Sequence, residues 1–278
     1  MTAFDRRLVV VTGGSMGIGL ATAERVAALG ADVVLLARRA EPLAAAAERV
    51  SARRRLPEQR VLWRALDVGD RARVDAVLGG VMDELGPPDV LVNCAGRARP
   101  AYFETITPAQ LDETLRVNFA GCWHAVQAVL PRMRARGRGG YVVNTASLAG
   151  VIGIVGYTDY SASKFAVVGF SEALRNELAG DGITVSVLCP PDVDTPGYAE
   201  ENRQKPPETT AVSSGGSLLT ADAVADALLA GMARRRFLIV PGRQARLTVG
   251  LKRWMPRLVA WAIDRQVRAA RASAPPRG

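Results

Sequence analysis

Residues 8–29 read LVVVTGGSMGIGLATAERVAAL, and the fold turns on them. The five-residue run Leu8 to Thr12 has the length and β-branched content of a strand buried on both faces. The helix-like stretch from Gly17 carries apolar residues at helical spacing. Between them, Thr12 to Gly19 form a glycine-rich turn. Gly13, Gly17 and Gly19 have no Cβ, so a ligand can approach the backbone and the helix can pack close to the sheet. Such a turn at a helix N-terminus offers backbone N–H groups to a pyrophosphate, with Ser15, Met16 and Ile18 completing its wall. An ordinary glycine-rich turn has the same composition. The strand before and the helix after favour the dinucleotide cradle.

The same alternation continues outward. Short apolar runs at ADVVLLA (31–37), RVLWRAL (60–66), DVLVN (89–93), GYVVNTA (140–146) and ITVSVLC (183–189) read as buried strands. Helix-length segments at 41–54, 71–85, 110–135 and 160–178 separate them, and one helix (220–235) and one strand (236–241) follow. The expectation is an α/β fold, a doubly wound parallel sheet of Rossmann type in a single domain over 1–242. Within it, 190–219 is rich in proline and charge and is expected to be a structureless substrate lid. Residues 243–278 are expected to form a basic amphipathic helical tail, with RASAPPRG (271–278) disordered.

Composition narrows the function. Hydrophobic residues make up 49% and charged residues 23%, as in ordinary globular proteins. No run of 18 apolar residues occurs, and the five-residue apolar run near the start is too short for a signal peptide. The net charge is +9, yet from Arg234 onward twelve basic residues accompany one acid, Asp264. The remaining chain carries 24 basic and 26 acidic residues, so the body is slightly acidic and is not expected to bind nucleic acid. Cys94, Cys122 and Cys189 sit in apolar runs and read as buried reduced thiols of a cytoplasmic protein, with no metal site expected.

Several polar residues stand out. The second strand ends in LLARRAE, with Arg38 and Arg39 and no acid before Glu41. A guanidinium forks onto a 2′-phosphate where an acid would bond a ribose hydroxyl, so NADP(H) is favoured over NAD(H). YSASK places Tyr160 and Lys164 one turn apart on a helix, where an ammonium would draw the phenol's pKa down from about 10. Ser147 follows the strand at 140–146, at the carboxyl end of the sheet. Asn118 lies in mid-helix, a poor place for asparagine without a tertiary reason. Tyr157 has Ser161, not a lysine, four residues on, and His124 on an apolar helix reads as structural.

TGGSMGIG, VNCAG, VNFAG, NTAS and YSASK, in this order, resemble the short-chain dehydrogenase/reductase family over residues 8 to about 190. The resemblance implies that Tyr160 is a general acid toward a carbonyl, that Lys164 bonds the nicotinamide ribose and lowers the pKa of Tyr160, and that Ser147 holds the carbonyl. It implies that Asn118 positions a proton-relaying water. Asn93, Ala95 and Gly96 would line the cofactor, Asp67 and Val68 would meet the adenine, and Pro190, Val193 and Thr195 would border the nicotinamide. Pro191 stands where the family usually has glycine. From 186 onward, SVLCPPDVDTPGYAEENRQKPPET resembles the 3-ketodihydrosphingosine (3-dehydrosphinganine) reductases within that family. This implies reduction of a long-chain 2-amino-3-ketone in sphingolipid synthesis, with Asp192 or Asp194 either pairing with its ammonium or capping turns. Other lipophilic ketones (3-oxoacyl or steroid-like) and an idle NADPH-binding membrane scaffold are the alternatives. The family implies a dimer or tetramer. The tail, with Trp254, Trp261 and many arginines, would either lie on the cytoplasmic face of a membrane or dock on its own fold.

Overall fold

The computed structural model describes residues 4–213, 216 and 218–273. Its centre is a seven-stranded sheet. The strands are β1 (Leu8–Thr12), β2 (Asp32–Ala37), β3 (Val61–Ala65), β4 (Val90–Asn93), β5 (Gly140–Thr145), β6 (Ile183–Leu188) and, beyond a two-residue β7 (Val193–Asp194) and β8 (Leu219–Thr220), β9 (Leu238–Ile239). The order is β3-β2-β1-β4-β5-β6-β9, and every pairing is parallel. The sheet therefore reverses its winding between β1 and β4, and a crevice opens at their carboxyl ends.

Alternation along the strands sorts the core into two layers. Val9, Val11, Val33 and Leu35 face α1 (Gly17–Ala28), α2 (Ala40–Ser51) and α9 (Ala221–Ala233). Val10, Val34, Leu36 and Leu91 face α3 (Arg71–Leu85), α5 (Gly121–Ala135) and α6 (Thr158–Glu177). Each of these buried aliphatics contributes about 1.5–3 kcal/mol, which is why a strand without polar alternation is stable here and nowhere else.

Three elements differ from the sequence expectation. The single helix expected over 110–135 is interrupted: α4 (Pro108–Leu115) passes through a π-helical turn (Arg116–Ala120) into α5. The lid is not structureless, because α7 (Pro196–Asn202) and α8 (Pro207–Ser213) form inside it, each with proline in its first turn, where the missing N–H costs nothing. Residues 214, 215 and 217 of the lid lie outside the described residues. The tail is two helices, α10 (Arg243–Trp254) and α11 (Pro256–Ser273), broken before Pro256, which cannot continue α10. Arg271 to Ser273 are helical, and 274–278, the rest of the expected disordered end, lie outside the described residues.

Candidate active site

A cavity of about 1190 Å³ occupies the crevice. Ser15, Met16, Gly17, Ile18 and Gly19 line it at one side, with Ala95 and Gly96 opposite. The turn is built for close approach. Gly13 has φ +69°, and a Cβ there would stand 2.6 Å from the Ala95 nitrogen; a Cβ on Gly19 would strike the Gly13 carbonyl. Helix α1 has no acid in its first turn, and its N-cap Met16 makes no side-chain bond. The first N–H groups of α1 thus keep their partial positive charge for an anion. Backbone cradle, dipole and flanking cations together fit a pyrophosphate.

Arg38 and Arg39 are exposed and line the cavity where β2 ends. Asp67 and Val68 line it as well, but Asp67 is already engaged: Gly69 N–H donates to Oδ1 and Arg116 to Oδ2, each at 3.0 Å. Burial alone would raise its pKa, yet the Gly69 bond and the Arg116 guanidinium hold it below the ordinary carboxylate value. Asn93 is a correction to the sequence expectation. It is buried beneath the cavity, donating to the Asn144 Oδ1 at 2.9 Å, while Asn144 donates to Ser171 at 2.9 Å. Its register opposite Thr12 and Asn144 turns the amide into the sheet, where it ties β4 and β5 to α6.

Tyr160 and Lys164 project from α6 toward the cavity, and Ser147 from the turn after β5. Ser147 accepts from the Ala149 N–H at 3.1 Å, and its hydroxyl acts on the Tyr160 phenol beside it, lowering its pKa. Lys164 is buried, with Nζ donating to the Thr145 carbonyl at 2.9 Å and lying 5.7 Å from the Tyr160 ring centre. Burial lowers the Lys164 pKa. The neighbouring thiols do little to oppose this, since burial pushes Cys94 and Cys122 up to about 11 and keeps them neutral. Tyr160 also departs from expectation. Burial raises its pKa, the charges of Glu201 and Asp192 add to this, and only the neighbouring Ser147 hydroxyl opposes them. The phenol therefore stays protonated, ready to donate.

Asn118 is fully buried on the π turn, which explains an asparagine in mid-helix. The extra residue in that turn points its amide at the segment after β4: Oδ1 accepts from Arg97 N–H, Nδ2 donates to the Arg97 carbonyl, both at 2.9 Å, and Nδ2 also reaches Ser163 at 3.1 Å. It lies close behind Lys164, since a Cβ on Gly96 would be 3.3 Å from both the Asn118 Oδ1 and the Lys164 Nζ. His124 contacts the Val68 carbonyl at 3.2 Å and does not line the cavity.

The lid closes the other end. Pro190, Pro191, Asp192, Val193 and Thr195 line the cavity, and the Thr195 methyl lies beside Gly17, where a Cβ would meet it at 3.0 Å. Asp194 does not line it. It is exposed, because alternation along β7 turns it outward as Val193 turns in. Asp192 instead has company that the sequence reading missed. Lys205 Nζ bridges Asp192 Oδ2 and Glu201 Oε1 at 3.4 Å each, Tyr198 donates to Asp192 at 3.0 Å, and Tyr157 donates to Glu201. Glu201 lines the cavity, and burial raises its pKa despite the Tyr157 and Lys205 bonds. The spacing of Glu201 and Lys205, four residues apart across the end of α7, was the available signal. The tail completes the wall: Thr248, Leu251, Val259 and Ile263 line the cavity, so α10 and α11 dock on this fold, with Arg271 bonded to the buried Glu208 of α8 at 3.1 Å.

A 3-ketodihydrosphingosine reductase of Bos taurus is 39% identical over 218 residues, 78% of this chain and 65% of its own length. A 3-dehydrosphinganine reductase of Danio rerio is 40% identical over the same shares. The chain thus spans about 65% of the length of the curated relatives it matches. A short-chain dehydrogenase/reductase from Burkholderia phymatum, solved in complex with NAD, superposes with a TM-score of 0.81 at 28% identity, over 93% of this chain and 96% of that one. Residues 7–206 match the family model for short chain dehydrogenase, and the chain belongs to that family.

Proposed function

We propose that this chain is an NADP(H)-dependent reductase of a long-chain 2-amino-3-ketone, converting 3-ketodihydrosphingosine to dihydrosphingosine. The observation that carries the reaction type is the pair of hydroxyls, Tyr160 and Ser147, on one cavity wall together with the buried Lys164, which is held by the Thr145 carbonyl. The names of the relatives support the substrate.

The glycine turn and the N-terminus of α1 hold the pyrophosphate of the nicotinamide cofactor, Arg38 and Arg39 take its 2′-phosphate, and Asp67 and Val68 border the adenine. That cofactor supplies a hydride to the ketone carbon. Ser147 donates a hydrogen bond to the carbonyl oxygen and fixes it beside Tyr160. Tyr160 transfers its phenolic proton to that oxygen, so the ketone gains one hydride and one proton and becomes an alcohol. Lys164, held by the Thr145 carbonyl, bonds the nicotinamide ribose and stabilises the phenolate that Tyr160 leaves behind. Asn118 is a positioning residue: it locks the segment at Arg97 over Lys164.

Asp192 and Glu201 pair with the ammonium of the substrate. Two carboxylates share one lysine, which leaves a net negative charge beside the reacting centre. The assay compares the amino ketone with its desamino analogue, products identified by mass spectrometry. Preference for the amino ketone, lost in the Glu201→Gln and Asp192→Asn double variant, is the expected result; equal use of both by the native protein rejects the substrate.

The chain acts as a dimer or tetramer at the cytoplasmic face of a membrane. An aromatic group of Phe119, Trp123 and Phe170, with Trp123 and Phe165 exposed on α5 and α6, supports self-association. Trp254, Met255, Leu258 and Trp261 are exposed among arginines on the outer side of the tail, which suits a headgroup layer.

A further inference from the structure

The cavity is larger than the nicotinamide site needs, and its chemistry changes along its length. Pockets for one drug-sized ligand span about 300–1000 Å³, against about 1190 Å³ here. Glycines, arginines and Asp67 line the cofactor end, whereas Ile152, Ile154 and Val212 join the tail at the other.

The inner side of the tail is mainly apolar, interrupted by Gln244, Thr248 and Gln266, and the fold itself leaves part of it uncovered. Residues 248 and 251 on α10, and 259, 262 and 263 on α11, recur at helical spacing and all border the cavity. Only Val259 among the described residues of α11 is buried; Ile263 is half-buried and Ala262 exposed. Leu251 is 46% exposed while lining the cavity, and Trp254 and Met255, which follow it in the chain, are exposed as well. The Arg271 bond to Glu208 pins the far end of α11 and keeps this wall in place.

We propose that α10 and α11 form the wall of a hydrocarbon channel that takes the alkyl chain of the ketone, running from Tyr160 outward along Thr248, Leu251, Val259 and Ile263 to a mouth on the exposed side of the tail. This rests on the long-chain reading above but adds a site to it. The alkyl chain covers the part of the tail's apolar side left open to the cavity, and a buried methylene gains about 0.8 kcal/mol, or about fourfold in affinity. An amphiphile held in an aggregate enters tail-last through the mouth and presents its polar head to Ser147 and Tyr160.

The test uses the full chain and a series of 3-ketones of increasing length, each made with and without the 2-amino group, plus Ala262→Trp and Thr248→Trp. In the native protein kcat/KM should climb by about fourfold per methylene and then level where the channel ends. Each tryptophan, placed on a different helix so that one misfolded variant does not void the test, should cut the long-to-short ratio of kcat/KM by about tenfold or more. A native protein indifferent to chain length, or an unchanged ratio in two variants that melt like the native protein, overturns the channel. Length dependence without amino preference rejects the amino-ketone substrate and keeps the channel; amino preference without length dependence does the reverse.

Discussion

Tyr160 works in a field that opposes its ionisation, because burial and then the Glu201 and Asp192 charges raise its pKa above the ordinary value. A group kept protonated this way suits reduction and slows the reverse reaction. The rate of ketone reduction should therefore stay flat from about pH 6 to pH 9, while alcohol oxidation, which needs the phenolate, should rise with pH across that span. Glu201→Gln removes one of the raising charges, so the oxidation profile should move to lower pH; a profile that stays put contradicts the coupling. Replacing both Arg38 and Arg39 by alanine should weaken NADPH by about 10²- to 10⁴-fold and NADH little, read by fluorescence titration, since each charge-assisted bond is worth about 1.5–3 kcal/mol. The sequence disclosed Tyr160, Lys164 and Ser147 because their spacing survives translation into a helix turn and a strand end. It disclosed neither the Lys205 bridge nor the inward turn of Asn93, because those depend on which loop closes over which strand.

At the scale of elements, strands buried on both faces were legible as unbroken apolar runs, and β1 to β6 lie where the runs lie. The π turn at 116–120 was not, since one extra residue per turn leaves no composition signal and reveals itself only through Asn118 reaching Arg97. The lid misled for a related reason: its prolines read as breakers but stand at helix starts in α7 and α8. The tail is joined to the body through α8, where Glu208 is buried between Arg271 and the Tyr102 hydroxyl at 2.6 Å. Arg271→Ala strips a charged partner from that carboxylate and should cost about 1–3 kcal/mol of tail docking. Limited proteolysis should then cut within 243–273 sooner while the sheet stays protected. Equal cleavage of variant and native protein would mean that the helices hold by apolar contact alone.

For the molecule as a whole, one cavity connects three parts of the chain that the sequence lists far apart: the glycine turn, the proline-rich lid and the basic tail. The net positive charge lies on the last of these, beside exposed tryptophans, so the proposed membrane contact and the proposed substrate entry fall on the same side. Replacing Trp254 and Trp261 by serine should lower co-sedimentation with vesicles of phosphatidylcholine and phosphatidylglycerol, and raised salt should lower it further. Trp123→Glu on α5 should shift the sedimentation mass toward the monomer. The most direct measurement is NADPH oxidation with 3-ketodihydrosphingosine in mixed micelles, native protein against Tyr160→Phe. Turnover to dihydrosphingosine that falls by about 10²–10⁴-fold in the variant is the expected result. Turnover that survives the loss of the phenol, or none with this ketone while another lipophilic ketone is reduced, would contradict it.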